Sequence, residues 1–198
     1  AATLRLPPGP GTITMRLPRV LLPGVVACAL LAPAAADAAV GSRAEIDARV
    51  REALAEFRRT TLAGGELAAK SRGMLVFPRV IKGGIGIGAE YGEGALLSGG
   101  RTAGYYSIAS ASVGLQLGVQ AKSVVILFMT DEAFQGFRRS KGWKAGVDGS
   151  VALATLGAGG QVTTETARRP IIGFVFSNKG LMYNLTLEGS KISKLDPK

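Results

Sequence analysis

The chain has 198 residues, is 47% hydrophobic and carries a formal charge of +10; this suits one domain with its own core and a basic surface for anionic partners, either nucleic acid or lipid headgroups. It has no histidine and a single cysteine, Cys28. That excludes Ser-His-Asp and Cys-His nucleophile systems, His-based zinc sites and an internal disulfide, while lysine, tyrosine or carboxylate chemistry stays formally open; no metal or cofactor is expected.

Residues 1–14 have no clear structural role. Met15 begins a leader: Arg16 and Arg19 form a basic segment, Val20 to Leu31 is apolar, and Ala34 to Ala38 offers small residues for cleavage. Residues 1–39 therefore read as an upstream extension and a removed export signal, placing the protein in the periplasm, at the outer membrane or outside the cell. Val25-Val26-Ala27-Cys28 also approximates a bacterial lipobox, in which an acylated Cys28 would be a lipid anchor; plain export is the other reading.

Ser42-Arg43-Ala44-Glu45 is a capping box. Ile46, Val50, Ala53, Leu54, Phe57 and Thr61 follow at helical steps, and Gly64-Gly65 ends the helix. An amphipathic helix over 40–65 results. Its mixed charges favour packing on the sheet over lying on a membrane. A short second helix is expected from Glu66 to Ser71, at the start of the main domain, 66–198.

Gly73 to Leu97 organises the remainder. It reads as a buried strand, a turn at Pro78, and a second strand with Ile85, Ile87, Ala89 and Tyr91 on one face and Gly84, Gly86, Gly88, Glu90 and Gly92 on the other. The bare glycine face lets another backbone or a ligand come close and lets the sheet bend. Gly84-Ile85-Gly86-Ile87-Gly88-Ala89 matches a dinucleotide fingerprint, but Glu90-Tyr91-Gly92-Glu93-Gly94 cannot open the required helix and brings carboxylates where phosphate would sit. Glu90 and Glu93 are assigned turn and salt-bridge roles.

Tyr105 to Gln120 reads as a long strand bent near Ser110–Ser112, and Ser123 to Met129 as a central strand buried on both faces. Thr130 caps a helix that buries Phe134 and Phe137. Trp143 to Leu153 reads as another strand, Gly157 to Pro170 as an exposed loop, Ile171 to Phe176 with Leu181 to Leu187 as a hairpin, and Lys191 to Leu195 as a last short strand. The fold class is α+β: a mostly antiparallel, curved or barrel-like sheet with an N-terminal amphipathic helix and one or two short helices.

Two basic groups are candidate lipid-binding sites. One is Lys70, Arg72, Arg79 and Lys82; the other is Arg138, Arg139, Lys141 and Lys144 around Trp143. A tryptophan among cations can anchor at a membrane interface, whereas strand alternation favours a core Trp143 beside a solvated basic turn. Nucleic acid is not expected as a partner, because no binding motif is present and export removes it.

Leu75-Val76-Phe77-Pro78, Lys82-Gly83-Gly84 and Tyr91-Gly92-Glu93-Gly94 resemble the SYLF lipid-binding domain. So do Gly104-Tyr105-Tyr106, Ser110 to Gln116, Gly142 to Val147, Phe176 to Met182 and Glu188 to Ile192, in order, over most of the chain after Gly65. The resemblance implies a phospholipid-binding module. Eukaryotic members bind phosphoinositides partly through a helix before the core, a place held here by the charge-balanced helix 42–62. Bacterial members are exported, often as lipoproteins. The las-seventeen-binding relatives bind actin, which an exported protein would not meet, so actin is not expected as a partner. Together these lead to an exported, non-enzymatic protein that recognises anionic phospholipid or phosphoinositide-like headgroups through its basic clusters. The alternative is an envelope structural or interaction protein whose basic face meets a protein or a polyanionic glycan.

Overall fold

The computed structural model describes residues 41–154, 162–177, 180–181 and 187–198. The expected leader, with Met15 and Cys28, lies outside them. Helix α1, Arg43–Thr60, starts as its sequence dictates: Ser42 accepts from the Glu45 amide and the Glu45 carboxylate accepts from the Ser42 amide at 2.9 Å. Its stripe of Ile46, Val50, Ala53, Leu54 and Phe57 is buried against Val76, Val125, Ile172, Phe174 and Phe176 of the sheet, so the stripe belongs to the core. Phe57 meets Phe174 edge-on at 5.0 Å between centroids. The expected stop at Gly64-Gly65 is corrected. The break falls at Thr61, and both glycines lie inside α2, Leu62–Lys70. Packing explains this: a Cβ on Gly64 would sit 2.6 Å from the Phe57 ring, so glycine lets α2 press on α1 rather than ending it.

Two long strands carry the fold. β1 spans Gly73–Ser98 and β2 spans Arg101–Phe128, paired antiparallel. Gly99 and Gly100 join them with φ of +57° and +77°, the left-handed pair that a two-residue type I′ hairpin turn requires. The expected turn at Pro78 is corrected to a bulge: Phe77 pairs Val124 and Val80 pairs Lys122, leaving Pro78 outside the register, where its missing N–H costs no ladder bond. Tyr105–Gln120 and Ser123–Met129, expected as separate strands, merge into β2. The anticipated bend corresponds to a register shift in which Ile85 pairs Leu117 but Ile87 pairs Val113.

The ribbon doubles back on itself. Lys82 and Glu90 are eight positions apart on β1, about 26 Å in a straight strand, yet their charged ends meet at 3.5 Å. A Cβ on Gly94 would stand 2.0 Å from the Val76 carbonyl oxygen, and one on Gly92 2.7 Å from that of Arg79. The bare glycine face is therefore the contact between the two halves of the strand. This close approach lets one hairpin line both walls of a curled sheet.

After the ribbon, Thr130 caps α3, Asp131–Arg139, whose Phe134 and Phe137 enter the core inside the curl with Phe128, Tyr106 and Trp143. The strand expected from Trp143 to Leu153 is instead two short pieces, β3 (Trp143–Lys144) and β4 (Ala152–Leu153). Between them the Asp148 carboxylate accepts from the Lys144 amide at 2.6 Å, closing a turn that breaks the alternation. The expected loop 157–170 contains α4, Thr164–Ala167; residues 155–161 lie outside the described residues. β5, Ile171–Ser177, pairs with the second half of β2 and with β6, Gly180–Leu181, as the expected hairpin requires; residues 182–186 fall outside the described residues. β7, Lys191–Leu195, pairs with the first half of β2 and with β3. Among the described residues the sheet has seven strands, and only β4–β5 is parallel. A mostly antiparallel, strongly curled half-barrel with a few helices bears out the fold class read from the sequence.

Candidate functional site

α1 is clamped at three places, two on the outer face of the ribbon and one on the C-terminal segment after β7. The Gly41 amide donates to Glu93 Oε2 at 3.0 Å, Tyr105 and Thr102 hydroxyls donate to the Asp47 carboxylate at 3.0 Å each, and Arg43 reaches Asp196 at 2.9 Å. These contacts set the helix face next to the apolar stripe. Arg49, Glu52 and Glu56 lie on that face at helical spacing and overhang the Pro78 bulge, where the ribbon emerges from under the helix.

A cleft of about 510 Å³ opens there, lined by Arg49, Ala53, Pro78, Arg79, Ala121 and Phe176 together with Glu52 and Glu56. A smaller one of about 150 Å³ lies between Ile46, Ile81, Tyr91 and Glu93. Arg49 and Arg79 border both. Both are exposed, and neither has a carboxylate within 4 Å among the described residues. Glu56, by contrast, is engaged by Arg59. The size and the mixture of apolar wall and guanidinium rim suit a small anionic group carried on an apolar body. Burial, and then the Glu93 carboxylate that accepts its hydroxyl hydrogen bond, push the Tyr91 phenol up to about 12.

Inside the curl lies a second charged cluster. Glu90 receives Lys122 at 2.9 Å and Lys82 at 3.5 Å; the Lys122 and Glu90 side chains are 6% and 12% exposed. Lys82 is thus directed inward to a carboxylate rather than out to solvent. The salt-bridge role read for Glu90 is borne out, and Glu93 serves as an anchor for α1.

The two predicted basic groups are rearranged by the fold. Lys70 and Arg72 lie at the start of the ribbon, where Arg72 meets Asp131 of α3 at 3.4 Å, far along β1 from Arg79 and Lys82. Arg79 is joined instead by Arg49 of α1, which borders the same two clefts. Lys122, also unanticipated, stands just before the buried run of β2, opposite Val80, and its side chain turns inward to Glu90. Arg138, Arg139, Lys141 and Lys144 are each exposed, at the end of α3, in the turn after it and on β3. Arg138 stacks 5.6 Å from the Phe134 ring, and Lys191 stands across from Lys144 on β7. Trp143 is buried at 3% exposure and meets Phe137 at 5.8 Å, so it is a core residue under a basic turn.

A third cleft, about 590 Å³, lies between Thr130, Glu132, Asp148 and Arg169. Its one guanidinium, Arg169, is engaged by Glu165 at 2.7 Å. Among the described residues no group of three potential ligands could hold a metal ion, and no helix is long and apolar enough to cross a membrane.

No curated protein matches the chain. A family model described as Ysc84, Las17-binding protein actin regulator, matches residues 109–197, which run from β2 through β7. The resemblance to the SYLF family is thereby borne out over this segment, residues 109–197 being similar to the Ysc84, or SYLF, family model.

Proposed function

We propose that this is an exported, non-enzymatic protein that binds anionic phospholipid, with the headgroup phosphate taken up at the Arg49–Arg79 rim of the cleft between α1 and the Pro78 bulge. The observation that carries the reading is the pair of exposed guanidiniums bordering a partly apolar cleft, neither with a carboxylate within 4 Å among the described residues. Guanidinium meets phosphate through paired, charge-assisted hydrogen bonds, which a lysine cluster supplies less well. The matched family is associated with lipid binding, which supports the same class of ligand. The exposed group of Arg138, Arg139, Lys141 and Lys144 adds a field that draws the protein to an anionic surface without defining a pocket. Export, read from residues 1–39, would make envelope lipid the available ligand.

Each basic residue near an anionic surface contributes about 1 kcal/mol. Replacing Arg49 and Arg79 by glutamine should therefore weaken binding to anionic vesicles about 30-fold. The same change at Arg138 and Arg139 should weaken it mainly at low salt, as a long-range field is screened. Equal losses from both pairs at every salt concentration would remove the cleft from the account. Binding to a protein or glycan fraction but to no vesicle would favour the envelope-interaction reading instead.

A further inference from the structure

α1 covers the outer face of the curled ribbon at its two ends and leaves six described apolar residues on either side of the bend exposed. Register puts Ile81 opposite Ala121, with Val119 two residues on, and Ala89 opposite Ala111, with Tyr91 beside them. All six are exposed: Val119 at 78%, Tyr91 at 42% and Ile81 at 40% are three of the four large exposed apolar side chains among the described residues. A Cβ on Gly83 would lie 3.8 Å from Val119, its register partner, so the apolar groups of the two strands adjoin there. None of the six carries a charge. The other ribbon face takes Lys82, Glu90 and Lys122 into the interior, so the curl sorts charge inward and apolar groups outward, the reverse of an ordinary solvated sheet face.

We propose that this bare strip, Ile81–Val119–Tyr91, is a membrane-inserting surface that enters the interfacial layer of an anionic bilayer. The proposal rests on the lipid-binding reading and adds to it the contact that buries apolar area. Charge complementarity identifies the occupant. Ile81 and Tyr91 border the smaller cleft together with Arg49 and Arg79, so the apolar strip ends where the guanidiniums begin. Inserted side chains beside cations at phosphate level is the arrangement that interfacial binding uses, with a tyrosine at the boundary. A second copy of the chain fits less well. Three large side chains among alanines are a small apolar centre for a stable interface, and a two-fold pairing would bring Arg49 and Arg79 of each copy toward the other.

The test uses the full chain with Val119→Trp. The one native tryptophan, Trp143, is buried, so its emission is a constant background. On phosphatidylglycerol vesicles the added indole should shift to the blue and be quenched by brominated acyl chains; on phosphatidylcholine vesicles it should do neither. Ile81→Glu with Val119→Glu should weaken vesicle binding at least about tenfold with an unchanged thermal melt. Wild-type binding accompanied by an unshifted indole and a fully competent double variant overturns the insertion surface but leaves the headgroup reading standing. No binding of wild type to any vesicle removes both. A double variant that dissolves a dimer yet still binds vesicles assigns the strip to self-association and also overturns the proposal.

Discussion

At the residue scale, single atoms decide whether the ribbon can fold back. Gly94 has no room for a Cβ, because the Val76 carbonyl oxygen would be 2.0 Å away and backbone cannot rotate aside. Gly94→Ala should cost about 3 kcal/mol, the upper range for overpacking, or prevent folding. Gly136→Ala is the matched control: nothing lies within 4 Å of its site in α3, and a helical alanine should stabilise by about 0.5–1 kcal/mol. Urea unfolding of both variants measures the contrast. Tyr91 supplies a pH prediction. Its folded-state pKa is raised to about 12 from 10.0, so the fold favours the neutral phenol. That contribution is complete below pH 10 and is lost as pH rises through about 12. Tyr105 and Tyr106 are shifted upward as well, chiefly by burial, so alkaline loss persists without Tyr91 but should be smaller in Tyr91→Phe. Urea midpoints on either side of pH 10 show whether the two proteins diverge.

At the scale of elements, the ribbon's inner charges form a unit of two cations around one carboxylate. Glu90→Gln leaves Lys122 buried without a counter-charge, a change that costs about 3–5 kcal/mol. Lys122→Met leaves Glu90 its contact with Lys82 and should cost distinctly less. Denaturation of the two single variants and the double variant tests this; equal losses would mean that Lys82 does not compensate. Local periodicity made α1, α3, the buried run of β2 and the last strand legible, because one face of each is apolar at the proper spacing. The doubling back of β1 was legible only as a permission, in the glycine face. Which backbone would come close depends on contacts between Gly94 and Val76, eighteen positions apart, that no periodicity encodes. Trp143 to Leu153 failed as a strand because alternation persists through a turn that the Asp148 side chain closes. Gly64-Gly65 failed as a stop because tertiary packing on Phe57, rather than helix termination, called for glycine there.

At the scale of the whole molecule, the fold gathers cations that are distant in sequence and separates cations that are near. Arg49 and Arg79 come from different elements and meet at one cleft, while Lys70 and Arg72 part from Arg79 and Lys82 along a strand. Chemistry-bearing residue types were therefore visible in the sequence, but their grouping needed the curl of the sheet. The curl also separates an inner charged cluster from an outer apolar strip, and it places that strip next to the Arg49 and Arg79 guanidiniums. The most direct measurement of the account is co-sedimentation of the full chain with vesicles of graded phosphatidylglycerol content, at low and high salt. The account predicts binding that rises with anionic lipid, falls with salt, and falls further when Arg49 and Arg79 are replaced by glutamine. Binding that is absent at every composition, or indifferent to both lipid charge and these two arginines, would contradict it.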